Sequence, residues 1–307
     1  MNILHPAPEV AEAVRNGTPI VALESTIVTH GMPWPRNLQT AREVEADIRA
    51  AGAVPATIAV LDGRIRVGLT SEALEGLAQA TGMAKLSRAD LGACIARGGS
   101  GATTVAATMI VAARAGIATF ATGGIGGVHR GAERSFDISA DLQELAQTSV
   151  TVVSAGPKAI LDIPKTLEVL ETLGVPVIAY GQDSLPAFWS AESELPAPLR
   201  MDSPARIAAA HLARARLDLP GGQLVANPVP AEAGIPPSEI DPIIARADRE
   251  AAERGITGKA VTPFMLARIL ELTDGRSLEA NIALIRNNAR LAARIATEMV
   301  CARADDQ

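Results

Sequence analysis

Cysteine, histidine and aromatic residues are scarce in this sequence, and each shortage excludes a class of site. The 307 residues include two cysteines, four histidines, two tryptophans, one tyrosine and four phenylalanines. Cys94 and Cys301 lie far apart, which does not suggest a disulfide framework, so we expect free thiols and a reducing compartment. Four scattered histidines without paired cysteines exclude a zinc site of the Cys/His type. Any metal ion should therefore be held by oxygen ligands.

The sequence also lacks excess positive charge and long apolar runs. Its net charge is −6 and its pI is near 5.4, which disfavours a nucleic acid polymer as partner but allows a single phosphorylated metabolite. The longest apolar stretch, Ala102 to Ala113, is too short to cross a bilayer. The segment Met1 to Val10 has no basic region followed by an apolar one. We therefore predict a cytoplasmic protein with no membrane partner.

Lysine is rare among the basic residues. Only four of the 28 are lysine (Lys85, Lys158, Lys165 and Lys259), which leaves 24 arginines to carry the general surface charge. Because lysine, unlike arginine, can lose its proton and attack a carbonyl carbon, each lysine is a candidate nucleophile.

The remaining composition is that of a folded α/β protein. Apolar residues make up 48% and charged residues 20%, which suffices for a large core. Asp62-Gly63 between two apolar segments predicts an antiparallel hairpin, whereas residues 150–180 predict a parallel βαβ unit. The pattern predicts strands at 21–28, 55–61, 64–69, 117–122, 150–154, 175–180 and 223–227, helices at 37–51, 87–97, 103–115, 158–173 and 205–216, and an irregular segment at 182–204. We expect a single domain, 1–307, with three α/β/α layers and a mixed central sheet.

Lys158 is the strongest candidate nucleophile. It follows Ser154-Ala155-Gly156-Pro157, where a strand should end and a helix should begin. A helix start and partial burial both disfavour an ammonium ion, so Lys158 is a candidate for a Schiff base. The alternative is a lysine that lies over the edge of the sheet. Lys165 fits a solvated surface cation.

Glu24 is the strongest candidate for proton transfer. It falls inside the apolar segment 21–28, where a carboxylate must be protonated or paired. A structural salt bridge is the alternative. His30, in the proline-rich segment after this strand, either lines a pocket or bonds to the loop backbone.

Two glycine-rich segments and one acidic segment are weaker signals. Gly98 to Thr104 could hold an oxyanion, and Gly123 to His129 departs from a dinucleotide motif, while close packing explains either segment equally well. Asp137-Ile138-Ser139-Ala140-Asp141 could bind a hard cation or a phosphate. Its local pattern alone favours a helix cap at Ser139 or Asp141.

Several motifs in order along nearly the whole chain resemble the pseudouridine-5′-phosphate glycosidases, the indigoidine synthase A-like family. They are Ala22-Leu23-Glu24-Ser25-Thr26 with His30-Gly31-Met32-Pro33, Gly101 to Thr108, Gly123 to Arg130, Phe136 to Leu142, Ala155-Gly156-Pro157-Lys158, Asn227-Pro228 and Glu279 to Leu284. Members of this family reversibly cleave the carbon–carbon glycosidic bond of pseudouridine 5′-phosphate to uracil and ribose 5-phosphate.

The resemblance implies a role for each matching residue. The imine would form on Lys158, and Glu24 would be the proton donor. Asp137 would bear one Mn²⁺ ion. The substrate contacts implied by the resemblance are Lys85, Val105, Ser139, Ala140 and Asp141, together with His129 and Asn281. It also implies a homotrimer.

The implied chemistry agrees with the candidates found from the residues. A C-glycosidic bond has no heteroatom leaving group, so an iminium at the sugar carbon would supply the electron sink that its cleavage needs. Two other functions fit the same candidates. One is a class I aldolase-like lyase acting on another phosphosugar, and the other is a phosphosugar sensor without catalysis.

Overall fold

The computed structural model describes residues 3–305, whose strands and helices alternate along most of the chain. The strands are β1 (Leu4–Pro6), β2 (Ile20–Leu23), β3 (Val54–Leu61), β4 (Arg64–Val67), β5 (Ala84–Leu86), β6 (Gly101–Thr103), β7 (Thr119–Ala121), β8 (Thr151–Ser154), β9 (Val177–Tyr180), β10 (Leu199–Met201) and β11 (Gln223–Ala226). The helices are α1 (Pro8–Asn16), α2 (Thr26–His30), α3 (Arg36–Ala50), α4 (Ser71–Gln79), α5 (Arg88–Ala96), α6 (Val105–Arg114), α7 (Ala132–Ser135), α8 (Ala140–Gln147), α9 (Ile163–Thr172), α10 (Pro204–Arg216), α11 (Pro237–Glu253), α12 (Val261–Leu272) and α13 (Arg276–Asp305), with a 3-10 turn at Gly258–Ala260.

The strands form one mixed sheet in the order β1-β4-β3-β2-β7-β8-β11-β9-β10, with β6 and β5 branching from β3. From β2 to β10 all neighbours are parallel. The first half of β3 pairs parallel with β2, and its second half pairs antiparallel with β4 through the Asp62-Gly63 turn. The predicted hairpin and mixed sheet are therefore confirmed.

Helices cover both faces of the sheet, which confirms the three-layer prediction. Along β2, Val21 and Leu23 face a core shared with α3 and α13, whereas Ile20 and Ala22 face a core shared with α1 and α6. This alternation follows from the two-residue period of a strand. All four residues of β2 are buried, as expected for a strand covered on both faces.

Parallel strands bring several chain segments to one edge of the sheet. The segments that follow β2, β7 and β8 begin at Glu24, Thr122 and Ala155, all at the carboxyl ends of neighbouring strands. Ligand sites in open α/β sheets lie at this edge. Within residues 3–305, we find no helix with the length and apolar character that a membrane span requires.

The structure corrects the prediction of a strand at 21–28. Strand β2 ends at Leu23, and the chain turns into the short helix α2, so Glu24 follows the strand instead of interrupting it. His30 is the last residue of α2 and not part of a loop. The hydrophobic pattern could not predict this change from strand to helix, because a short buried strand and a buried helical turn both contain a run of apolar residues.

The predicted helix at 158–173 begins five residues later than expected. Asp162 caps α9, since its side chain accepts a hydrogen bond from the N–H of Lys165. Pro164 lies in the first turn and does not kink the helix. Lys158 lies in the preceding loop, so the argument from a helix start was wrong for this residue. Four strands also lie where none was predicted, namely β1, β5, β6 and β10. Strand β6 ends at Thr103, where the predicted helix 103–115 was expected to begin, and β10 lies in the segment 182–204 that was predicted to be irregular.

Candidate active site

A pocket at the carboxyl edge of the sheet brings together four of the predicted site residues. It encloses about 680 Å³, including its open mouth, and is lined by Glu24, Lys85, Lys158 and Asn281. Its other walls come from α2, from the Gly123-Gly124 segment, from Phe188 and from α12. The sheet topology therefore joins residues that are separated by up to 257 positions in the sequence.

The Glu24 carboxylate is buried and held by two hydroxyl groups. The side chain is 8% exposed. Thr26 donates to one carboxylate oxygen and Thr122 to the other. No ion pair of Glu24 occurs in the part of the chain that the structure describes, so the described residues give no support to the alternative of a structural salt bridge. A carboxylate held by neutral donors at a pocket wall can exchange a proton with a ligand.

Lys158 reaches the pocket from the loop after β8. Its Nζ donates a hydrogen bond to the carbonyl oxygen of Gly124 at 2.6 Å, and its backbone N–H donates to Ile125. The side chain is partly buried and makes no ion pair with a described carboxylate. The side chain lines the pocket, as a candidate nucleophile must. By contrast, Lys165 is half exposed and pairs with Glu133 and Asp162, which confirms the surface cation.

Close approach of this loop to its neighbours requires glycine at position 124. A Cβ atom there would lie 2.6 Å from the Phe188 ring and 3.1 Å from the carbonyl oxygen of Gly156. The segment that positions the Gly124 carbonyl against Lys158 thus has no room for a side chain. This close packing accounts for part of the glycine-rich motif.

His30 and Lys85 face the pocket from the side of α2 and β5. Burial lowers the pKa of His30, and the positive charge of Lys85 lowers the pKa further, although a hydrogen bond with the backbone of Met83 opposes both effects. The Nδ1 atom of His30 lies 2.6 Å from Oγ1 of Thr29. Of the two interpretations left open by the sequence, the structure supports a pocket residue.

Asn281 enters the pocket from α13 and is held by an indole. Nε1 of Trp189 donates to Oδ1 of Asn281 at 2.8 Å and also contacts the carbonyl oxygen of Ser277 at 3.2 Å. The neighbouring Phe188 lines the pocket and packs edge-on against Trp189, with ring centroids 5.0 Å apart. With its oxygen fixed, the amide of Asn281 can offer N–H donors to a ligand.

Asp141 and Ser139 lie outside this pocket, behind the Gly126 backbone. Oδ1 of Asp141 accepts from the N–H of Ala106 at 2.9 Å, and Oδ2 accepts from the N–H of Gly126 at 2.8 Å. Ser139 caps α8, as its local pattern predicted. Asp141 thereby ties the start of α6 to the loop after β7. Val105 is the first residue of α6 and is buried, while Ala140 is exposed at the start of α8.

His129 and Asp137 lie on two segments that run side by side near Asp141. The N–H of His129 donates to the carbonyl oxygen of Asp137 at 3.0 Å. The Asp137 carboxylate is half-buried and has no hydrogen-bond donor or ion-pair partner among the described side chains. The structure does not bring His129, Asp137 or the Ser139–Asp141 segment into the lining of the pocket that holds Lys158.

The donor set near Asp137 fits a largely hydrated cation. Among residues 3–305, no group of three or more His, Cys, Asp or Glu side chains is placed to hold a metal ion. Both oxygens of Asp141 already accept backbone hydrogen bonds. Asp137 would then supply a carboxylate ligand, and water molecules would complete the coordination. Small hard cations accept such sites, since they keep most of their waters and also bind substrate phosphates.

Four side chains that build the site were not named as candidate site residues in the sequence analysis: Thr26, Thr122, Phe188 and Trp189. Thr26 adjoins Glu24 in the sequence, and Thr122 directly follows a predicted strand, so their positions could have suggested them. Phe188 and Trp189 lie in the segment predicted to be irregular. Because the sequence has few aromatic residues, two adjacent ones at Phe188 and Trp189 could have been noted as candidates.

Comparison with known proteins identifies the family. The sequence profile described as "Indigoidine synthase A like protein" matches residues 9–298. The chain belongs to this family. A pseudouridine-5′-phosphate glycosidase of Jannaschia sp. is 70% identical over 94% of this chain and 96% of its own length. A protein with the same name from Roseobacter denitrificans is 68% identical over 97% of this chain and 96% of its own length.

Solved structures support the same assignment. The prealnumycin C-glycosynthase AlnA, solved in complex with ribulose 5-phosphate, is 38% identical with a TM-score of 0.92, and the match covers 99% of both chains. An indigoidine synthase A-like protein from Thermotoga maritima is 33% identical with a TM-score of 0.88, over 97% of this chain and 96% of that one. The predicted family, fold and enzyme class are confirmed.

Proposed function

We propose that this protein reversibly cleaves the C–C glycosidic bond of pseudouridine 5′-phosphate, giving uracil and ribose 5-phosphate through an imine on Lys158. The observation that carries the proposal is one pocket lined by a lysine free of ion pairs with described carboxylates and by a buried carboxylate. The names of relatives up to 70% identical support the substrate. Ribulose 5-phosphate bound to AlnA supports a pentose phosphate ligand.

The first chemical stage opens the sugar. Glu24 donates a proton to the ring oxygen, the bond from C1′ to that oxygen breaks, and the Lys158 nitrogen adds to C1′. The hydrogen bond to the carbonyl oxygen of Gly124 holds the Lys158 nitrogen at the wall of the pocket. The nitrogen then returns its extra proton to Glu24, so the adduct is a neutral amine still attached to uracil and Glu24 is again protonated.

The second stage breaks the carbon–carbon bond. A proton reaches the uracil carbon from Glu24, and the bond between C1′ and that carbon then breaks while the nitrogen lone pair forms the C=N bond. The uracil ring regains its double bond. Water hydrolyses the imine to ribose 5-phosphate and restores Lys158.

The polar residues around the pocket recognise the two halves of the substrate. Lys85 offers a cation for the phosphate, and Asn281 offers amide donors for the uracil carbonyl groups. His129, Val105 and the segment Ser139, Ala140 and Asp141 would contact the sugar phosphate beyond the Gly126 backbone. Mn²⁺ held by Asp137 would, when bound, offset the negative charge of the phosphate.

The remaining parts of the proposal concern the protein in the cell. We propose that it works as a homotrimer in the cytoplasm. Mass measurement of the native protein in solution tests the assembly, and a mass other than three chains contradicts it.

Reduction with borohydride tests the imine. Ribose 5-phosphate and borohydride should give a stable secondary amine, and peptide mass mapping should place it on Lys158. The variant Lys158→Ala should give no adduct and no turnover. Lys165→Ala is the matched control, since this lysine lies on the surface and should leave both unchanged. An adduct on Lys85 would contradict the assignment.

Turnover separates the proposal from its two alternatives. Release of uracil from pseudouridine 5′-phosphate supports the glycosidase. Activity confined to aldol donors would instead indicate an aldolase-like lyase. Ligand binding with neither turnover nor an adduct would indicate a sensor.

A further inference from the structure

A second, smaller cavity lies behind Glu24. It leaves about 20 Å³ in which the centre of a water molecule fits. Roughly 10–15 Å³ is enough for one water. Glu24, Ile27 and Met32 line both this cavity and the substrate pocket, so the two spaces share a wall. Residues of α3 and β3 also line the smaller cavity.

One side chain in this cavity has an unsatisfied hydroxyl group. Oγ1 of Thr40 is buried and has no hydrogen-bond partner among residues 3–305, and Thr40 as a whole is 3% exposed. Leaving a buried hydroxyl without a partner is unfavourable, so such groups in native proteins normally bind a protein atom or an ordered water. Since no atom of residues 3–305 forms a hydrogen bond with Oγ1 of Thr40 and the cavity has room for a water, a water molecule is the natural partner.

A second threonine on the wall of this cavity bonds to a carboxylate that is partly exposed. Thr57 lines the cavity, is 2% exposed, and donates from Oγ1 to Glu45 at 2.7 Å. The Glu45 side chain is 13% exposed and pairs with Arg49 on the surface. Burial raises the pKa of the Glu45 carboxyl, although Thr57 and Arg49 oppose this effect. Glu45 can therefore carry a proton between solvent and the Thr57 hydroxyl.

We propose that the cavity holds an ordered water on Thr40, and that this water connects Glu24 to Thr57, Glu45 and solvent as a path for protons. The proposal rests on the proposed function, because it assigns the path to the reloading of Glu24. Substrate in the pocket would separate Glu24 from solvent on its front side. The cavity gives a second route on the back side of the same carboxylate. Thr40, Thr57 and Glu45 are then positioning residues.

The transfer balances through four groups. Glu24, as a carboxylate after it has given up its proton, takes one from the water. The water takes a proton from the Thr57 hydroxyl, which takes one from the Glu45 carboxyl. Glu45 finally recovers a proton from solvent. Each group gains and loses one proton, so no other reactant is needed.

A crystal structure of the protein tests the water without reference to activity. Density for a water within hydrogen-bond distance of Thr40 Oγ1 is expected. The variant Thr40→Val keeps the shape but removes the hydroxyl, and should lose the water. Thr40→Ser should retain it. An empty cavity in the wild-type protein would overturn the proposal, whatever the enzyme turns over.

A solvent isotope experiment tests the path. Enzyme loaded with pseudouridine 5′-phosphate in H₂O is diluted into D₂O during the first turnover, and the mass of the released uracil shows whether its carbon received H or D. The wild type should deliver mostly deuterium. Thr40→Val and Glu45→Gln should deliver more protium, because Glu24 then exchanges slowly, and kcat should fall on the order of tenfold, less than for loss of the acid itself.

Two further variants distinguish loss of the proton path from a structural effect of the Thr40→Val substitution. Thr40→Ser should restore the wild-type isotope ratio. Thr297→Val removes a hydroxyl of the same type on α13, away from the site, and should change neither ratio nor rate. Equal isotope ratios in the wild type, Thr40→Val and Glu45→Gln would overturn the path. If the wild type releases no uracil, the proposed function fails, and the crystal structure alone then decides whether the water exists.

Discussion

His211 should make the protein less stable in mild acid, by an amount that its surroundings set. The residue is 4% exposed on α10, and its Nδ1 lies 3.1 Å from Oγ1 of Thr151. Burial lowers the pKa of His211 from 6.5 to about 4, and the charges of Arg303 and Arg214 add to the effect. In the unfolded chain His211 regains its ordinary pKa. The unfolded state therefore binds the extra proton as the pH falls from 6.5 toward 4.

The size of the loss follows from the two pKa values. The difference between a pKa of 6.5 in the unfolded chain and about 4 in the folded protein corresponds to a maximum loss of about 3 kcal/mol in the free energy of unfolding. About 2 kcal/mol of this is already lost near pH 5. Above pH 7 the contribution of His211 to the free energy of unfolding is constant, since the side chain is then mainly neutral in both states. Stability falls with falling pH because the pKa of His211 is lower in the folded protein than in the unfolded chain.

Urea unfolding near pH 7.5 and near pH 5 measures this effect. The buried Trp189 reports unfolding by fluorescence, and the protein concentration is kept constant because any association of subunits would add to stability. The wild type should lose about 2 kcal/mol more between the two pH values than His211→Asn, which cannot titrate. Equal losses in the two proteins would refute the reasoning.

The site gives three further predictions. Glu24→Gln should bind substrate but turn over about 10²–10⁴-fold more slowly, and near-normal kcat would remove Glu24 from the mechanism. Asp141→Asn should lower the free energy of unfolding by about 1–3 kcal/mol in urea, because an amide nitrogen then faces the N–H of Ala106 or Gly126, and unchanged stability would contradict the tie. Chelation should suppress activity and Mn²⁺ should restore it, whereas full activity of metal-free enzyme would exclude a required cation at Asp137.

Patterns in the sequence were enough to predict the three α/β/α layers and the β3–β4 hairpin. A buried strand with alternating faces and an Asp-Gly turn are local signals, and the structure confirms both. Errors arose where tertiary packing decides between short elements. The turn from β2 into α2 after Leu23 and the late start of α9 at Ile163 depend on contacts with other segments, which no window of sequence contains.

In the candidate site, too, some residues could be predicted from the sequence and others could not. Lys158 and Glu24 stood out because an isolated lysine after small residues and a carboxylate in an apolar run are unusual in any fold. Their partners could not be found in this way. Thr122 reaches Glu24 across 98 positions, and Trp189 reaches Asn281 across 92, because parallel strands and the long helix α13 bring them together.

Sequence alone determined which chemical groups are available: few cysteines, few lysines, one carboxylate beside an apolar strand and an apolar content sufficient for two layers of helix on a sheet. Only the tertiary structure decided that Glu24 and Lys158 share a pocket while Asp141 holds the loop behind it. It also decided that the Thr40 hydroxyl lines a cavity and has no hydrogen-bond partner among the described residues. The physical reason is that composition and spacing constrain local geometry, whereas distances between remote groups follow from how the strands are ordered and the helices packed.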